Sequence, residues 1–274
     1  MQSLLDWMGT TLAHYLSKPV APGNIASATP VAVLQRVLQP ADVLLVEGCS
    51  RFSTAIKYLS QSTWSHAALF VGPALPEPTG REPRVLLEAD VNEGVRVVGL
   101  SEYSGFRTRI CRPVSISPEE RHAVVRYALA RLGNRYDLKN IIDLARYLLP
   151  TPPVPSRWRR RMIELGSGEP TRAVCSTLIA QAFQSIHYPI LPDIDRAPST
   201  NPDCVGCYNE ILRIRHHSLF TPSDFDLSPY FEIVKPTLAL GFSHRELVWA
   251  DEMPATLTPG PDTVQPDVRP GLNE

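Results

Sequence analysis

The chain has 274 residues, 43% of them hydrophobic and 20% charged, which is enough for one large domain or two small ones with a proper core. Its formal net charge is −1, so no global charge points to nucleic acid as a partner. Five cysteines, at 49, 111, 175, 204 and 207, are odd in number and irregularly spaced. They do not form a secreted disulfide framework, and a reducing compartment is expected.

No run reaches the roughly 18 apolar residues needed to cross a bilayer. The start lacks the Lys/Arg region and cleavage site of a secretory signal peptide. The expected location is cytoplasmic, with signal-less export left open.

Residues 1–17 have helical apolar spacing through Leu4, Leu5, Met8, Leu12, Tyr15 and Leu16. They read as a helix docked on the domain or as a membrane-surface contact. Residues 18–30 are rich in Pro, Ala, Gly and Ser and read as a linker, so 1–39 is set apart from a main domain over 40–252.

Asp42 to Val46 is a buried strand, and a short helix through Phe52, Ile56 and Leu59 follows, capped by Ser50 or Ser53. His66 to Val71 is the next strand. His66, Ala68 and Phe70 point one way and Ala67, Leu69 and Val71 the other. Four prolines make a loop of 73–83. Val85 to Ala89 and Val95 to Leu100 pair across Asn92-Glu93-Gly94, and Arg107 to Arg112 adds a strand. The implied class is α+β with a mostly antiparallel sheet.

Ser117-Pro118-Glu119-Glu120 is a capping box that opens a helix, and Gly133 stops it. Another helix follows Asn134-Arg135-Tyr136-Asp137. Residues 150–170 hold Pro150, Pro152, Pro153 and Pro155 and then the run Arg157-Trp158-Arg159-Arg160-Arg161. That loop reads as a solvated surface, or as a lid that touches phosphate or anionic lipid. Residues after His187 read as irregular up to Glu210. Short strands are expected at 232–234 and 247–250, and a proline-rich disordered tail over 253–274.

The stretch from Arg172 to Phe183 carries the chemistry. Leu178, Ile179, Ala182, Phe183 and Ile186 repeat at helical spacing, which puts Cys175 in the first turn. Free backbone N–H groups and the positive end of the helix dipole favour a thiolate there, and the thiolate is the nucleophile. Such a cysteine needs an imidazole and a group to orient it. His66, at a strand start beside Trp64, supplies the imidazole. Glu88 is a carboxylate in an otherwise apolar strand, a costly placement unless it accepts the second imidazole N–H.

In this order, Ser65-His66-Ala67-Ala68-Leu69-Phe70-Val71-Gly72, Leu86-Leu87-Glu88-Ala89, Gly133 to Asp137 and Val174 to Ile179 resemble one family. It is the circularly permuted papain-like hydrolases of the YiiX/YaeF type, relatives of NlpC-type peptidases and of lecithin:retinol acyltransferase. Asp42 to Gly48 and Phe225 to Phe231 also resemble that group. The resemblance implies an antiparallel sheet carrying His66 and Glu88, packed on the Cys175 helix. It implies Cys175 as nucleophile, His66 as general base then acid, and Glu88 as the orienting group. Tyr136 takes the place of a tyrosine that lines the active site and helps hold the oxyanion.

The expected activity is that of a cysteine hydrolase on an amide, peptide or ester bond. Alternatives are a phospholipase-like acyl hydrolase or acyltransferase, or a binding module without turnover. Expected partners are a small-molecule, peptide or lipid substrate, with peripheral membrane contact through 1–17 or 157–161 as an option. No cofactor or metal is expected. Cys204-Val205-Gly206-Cys207 lacks a second ligand pair, since adjacent His216 and His217 do not normally share one metal. His244-Arg245-Glu246 follows the CxxC, the reverse of the zinc-deaminase order.

Overall fold

The computed structural model describes residues 28–73, 82–90, 93–134, 174–198 and 208–246. Tyr136, residues 1–17, the loop of 150–170, Cys204, Cys207, the expected strand at 247–250 and the tail of 253–274 lie outside them. The chain divides into two compact units, Met1–Pro236 and Thr237–Glu274. The first is described here. Of the second, the described residues include a 3-10 turn at His244–Glu246.

The class is α+β, as the sequence implies. Its centre is a six-stranded, wholly antiparallel sheet in the order β4-β3-β2-β1-β5-β8. The strands are β1 (Val43–Val46), β2 (His66–Phe70), β3 (Leu86–Asp90), β4 (Gly94–Val98), β5 (Thr108–Pro113) and β8 (Phe231–Val234). Both faces of β1 are buried, because helices cover the sheet on each side. Alternation sorts the side chains into two cores. Val43, Leu45, Ala67, Leu69, Leu87, Val95 and Val97 face one. Leu44, Val46, Ala68, Phe70, Leu86, Val98 and Ile110 face the other.

Among the described residues, three helices cover the first face: α3 (Pro118–Leu129), α4 (Val174–Gln184) and α5 (Pro222–Leu227). Helix α3 starts at the expected capping box: the Ser117 hydroxyl accepts the Glu120 N–H at 3.2 Å and the Glu120 carboxylate accepts the Ser117 N–H at 2.8 Å. After α3, Gly133 takes φ +77, a conformation that costs glycine little. Its N–H bonds the Val95 carbonyl at 2.8 Å, and the Val95 N–H bonds the Asn134 carbonyl at 3.0 Å. The turn is thereby tied to β4. Helix α2 (Arg51–Ser60) follows β1, and Ser50 rather than Ser53 caps it by accepting the Ser53 N–H at 3.0 Å.

The second face is covered by α1 (Val31–Val37) and a 3-10 turn at Leu100–Tyr103. The core therefore begins ahead of residue 40, because Leu34 and Val37 are buried against the sheet. Asp193–Pro198, expected to be irregular, is strand β6, paired with β7 (Tyr208–Arg213) in a separate two-stranded ribbon. Ile194 is the one β-branched residue in β6, so its extended form depends on pairing rather than propensity. No helix among the described residues is long and apolar enough to cross a membrane.

A buried side-chain bond also ties α4 to the segment before α5. The buried Ser176 hydroxyl donates to the Phe220 carbonyl at 2.6 Å. Ser176→Ala leaves that carbonyl without its donor in a dry site. A loss of about 1–3 kcal/mol is expected, read as a lower urea midpoint with unchanged slope.

Candidate active site

The site forms where two neighbouring strands part. The β2–β3 ladder runs through Phe70↔Leu86 and Leu69↔Leu87 and then stops, whereas the β3–β4 ladder continues through all five pairs to Asp90↔Gly94. His66 and Glu88 lie in the parted ends. Alternation points both toward the second core, with Ala68 and Leu86. Helix α4 packs its Leu178, Ile179, Ala182 and Phe183 into the first core, against β2 and β3. Cys175, the second residue of α4, is hydrogen-bonded to the His66 side chain. The antiparallel sheet carries His66 and Glu88, and the helix that holds Cys175 packs against their strands, as expected.

His66 Nε2 lies 2.7 Å from Glu88 Oε2. That leaves Nδ1 for the hydrogen bond between the ring and the Cys175 side chain. Burial disfavours a charged ring, but the Cys175 sulfur and then Glu88 outweigh it and push the His66 pKa up to about 10. At neutral pH the ring carries both protons, Nε2–H donating to Glu88 and Nδ1–H to Cys175. Burial likewise opposes charge on Glu88, yet bonds from His66 and Tyr103 and the nearby Arg96 hold its pKa at about 2. The His66 side chain is 23% exposed and Cys175 5%, so solvent reaches the pair from the imidazole side.

Two further groups hold Glu88. Arg96 donates to Oε1 through Nε at 2.8 Å, and its Nη2 lies 2.8 Å from the same oxygen in an ion pair. The Tyr103 hydroxyl donates to Oε2. Burial and the adjacent Glu88 push the Tyr103 pKa well above its ordinary value, so the phenol keeps its proton. The residues before His66 are pinned as well. Trp64 Nε1 donates to Asp226 Oδ2 at 3.0 Å, and Arg109 Nη1 donates to both Asp226 oxygens at 2.6 and 2.7 Å. The Ser65 hydroxyl accepts the Gly48 N–H at 2.9 Å. A β-carbon at Gly48 would fall 2.3 Å from the Ser53 hydroxyl, so only glycine fits that turn without displacement.

No family model matches the chain, and no curated protein matches it. Among solved structures it is similar to one described as the crystal structure of metalloprotein yiiX from Escherichia coli O157:H7, DUF1105. Identity is 14% and the TM-score 0.41, over 72% of this chain and 96% of that one. At that level the likeness carries no weight, and the site rests on its own geometry. No group of three or more His, Cys, Asp or Glu among the described residues is placed to hold a metal ion.

Of the four residues singled out in the sequence, the structure brings together Cys175, His66 and Glu88. Tyr136 lies outside the described residues. Arg96 and Tyr103 went unread in the sequence. Arg96 had a signal: the hairpin over Asn92-Glu93-Gly94 sets Glu88 opposite Arg96. Tyr103, in a 3-10 turn, had none.

Proposed function

We propose that the protein is a cysteine-dependent hydrolase of an acyl bond, amide or ester, with Cys175 as nucleophile. The observation that carries this reading is the imidazole of His66, held by Glu88 at 2.7 Å on one nitrogen and turned to a helix-start cysteine on the other. Cysteine, base and orienter then stand in the order nucleophilic catalysis needs.

Cys175 Sγ attacks the substrate carbonyl carbon, and the carbonyl π pair moves onto oxygen. The first-turn N–H groups of α4 have no intrahelical acceptor and are the donors for that oxyanion. The Tyr103 hydroxyl already donates to Glu88 and is not among them. Collapse of the adduct breaks the bond to the leaving group, which takes the Nδ1 proton, and a thioester remains. His66 then accepts a proton from water as its oxygen attacks the thioester. Breakage of the C–S bond frees the acid and returns Cys175.

Iodoacetamide labelling followed by peptide mass spectrometry tests the reading. Cys49, partly exposed, and Cys111, buried, serve as internal comparisons. Near pH 6, Cys175 should label at least about tenfold faster than Cys49, and that excess should vanish in His66→Ala. A Cys175 no faster than Cys49, or indifferent to His66, would leave a fold that binds without turnover. With the pair established, amide, ester and phospholipid substrates can be compared against Cys175→Ala as the blank.

A further inference from the structure

We infer that Arg96 and Tyr103 are positioning residues: together they keep the Glu88 carboxylate ionised and turned so that it accepts from His66 Nε2 and aims Nδ1 at Cys175. This rests on the cysteine–histidine reading above. An ionised carboxylate offers about four acceptor positions, and three hydrogen-bond donors take up both oxygens here. Oε1 accepts from Arg96 Nε, with Nη2 in the same ion pair, and Oε2 takes His66 Nε2 and the Tyr103 hydroxyl.

The donors come from three separate elements: β2, β4 and the 3-10 turn. Each fixes a different degree of freedom. The guanidinium anchors Oε1 and places a positive charge beside it. It is itself held from outside by Glu93 at 3.0 Å and Glu102 at 3.7 Å, with Asp90 also acting on its charge. The phenol fixes the remaining rotation. Its ring lies 5.9 Å from the imidazole, tilted by 34°, and edge-on to Phe106 at 6.3 Å. It therefore walls the imidazole as well as donating to its partner. The 3-10 turn is kept in place by Glu82, which accepts the Ser101 N–H at 2.9 Å.

The chemical consequence follows from what Glu88 would do without these donors. A carboxylate 3% exposed and short of hydrogen bonds takes up a proton. A neutral carboxyl can turn its O–H toward His66 and compete with the Nε2–H instead of accepting it. The charged groups facing Glu88 are His66 from β2 and Arg96 from β4, with the Tyr103 phenol from the turn. Those facing the imidazole are Cys175 from α4 and Glu88.

The test is the rate of Cys175 alkylation by iodoacetamide as a function of pH in the full chain. Wild type is compared with Tyr103→Phe, Arg96→Gln and Arg96→Lys. In Tyr103→Phe and Arg96→Gln the acid side of the profile should move to higher pH. The rate near pH 5 should fall about tenfold while the rate near pH 9 changes less than about threefold. Arg96→Lys should recover most of the loss. Rates lowered equally at every pH, or a profile identical to wild type, would overturn the inference. Tyr103→Phe keeps the buried ring and so stays informative if the Arg96 variants fold poorly. If wild-type Cys175 itself labels no faster than Cys49, the underlying reading falls; if wild type behaves as expected and the variants do not shift, only the clamp falls.

Discussion

Glu88→Ala should destabilise the protein by about 3–5 kcal/mol, the cost of breaking a buried ion pair from one side. Glu88 is 3% exposed and accepts from three side chains, so its removal strands Arg96, the Tyr103 hydroxyl and the protonated His66 together. Arg96, at 27% exposure, can recover some hydration; Tyr103 cannot. Urea unfolding at neutral pH measures the loss. Glu88→Gln separates stability from chemistry. The amide keeps the volume and one acceptor oxygen, so its stability loss should be smaller. It should nonetheless lose Cys175 reactivity as fully as Glu88→Ala, because a neutral amide cannot balance an imidazolium. A Glu88→Ala loss no larger than that of Ser176→Ala would mean that the carboxylate is not the hub of the site.

Alternation of apolar residues was enough to place β1 to β5 and to set His66 and Glu88 on their strands. Glu88 stood out because it interrupts an apolar run, and burial did prove to be matched by donors. What alternation cannot give is where a ladder ends. His66 and Glu88 face away from the core that α4 fills, and they lie at the end where pairing between β2 and β3 stops after Leu69↔Leu87. That stop is a tertiary property with no local signature. Tyr103 was hidden for a related reason: a 3-10 turn has no long period to read. The β6–β7 ribbon and α1 were missed because Asp193–Pro198 and Val31–Val37 have weak or mixed propensities and take their form from what they pair with or pack on.

The pH dependence of stability should show a plateau bounded by the two partners of the site. His66 titrates at about 10 in the fold against an ordinary 6.5, so its contribution is complete below 6.5 and is lost as pH rises toward 10. Glu88 titrates at about 2 against an ordinary 4.5, so its contribution is complete above 4.5 and is lost as pH falls toward 2. Both are whole between 4.5 and 6.5. Melting temperatures of wild type and His66→Gln across the range isolate the histidine: the advantage of wild type should be greatest within the plateau and shrink steadily on the alkaline side. Cys175→Ala carries the argument further, because the sulfur is the foremost influence raising the ring. Without it the alkaline decline should begin at lower pH, with Glu88 alone left to hold the proton. A decline that starts at the same pH in Cys175→Ala as in wild type would mean that the sulfur does not help the imidazole hold its proton. The nucleophile would then have to be sought elsewhere.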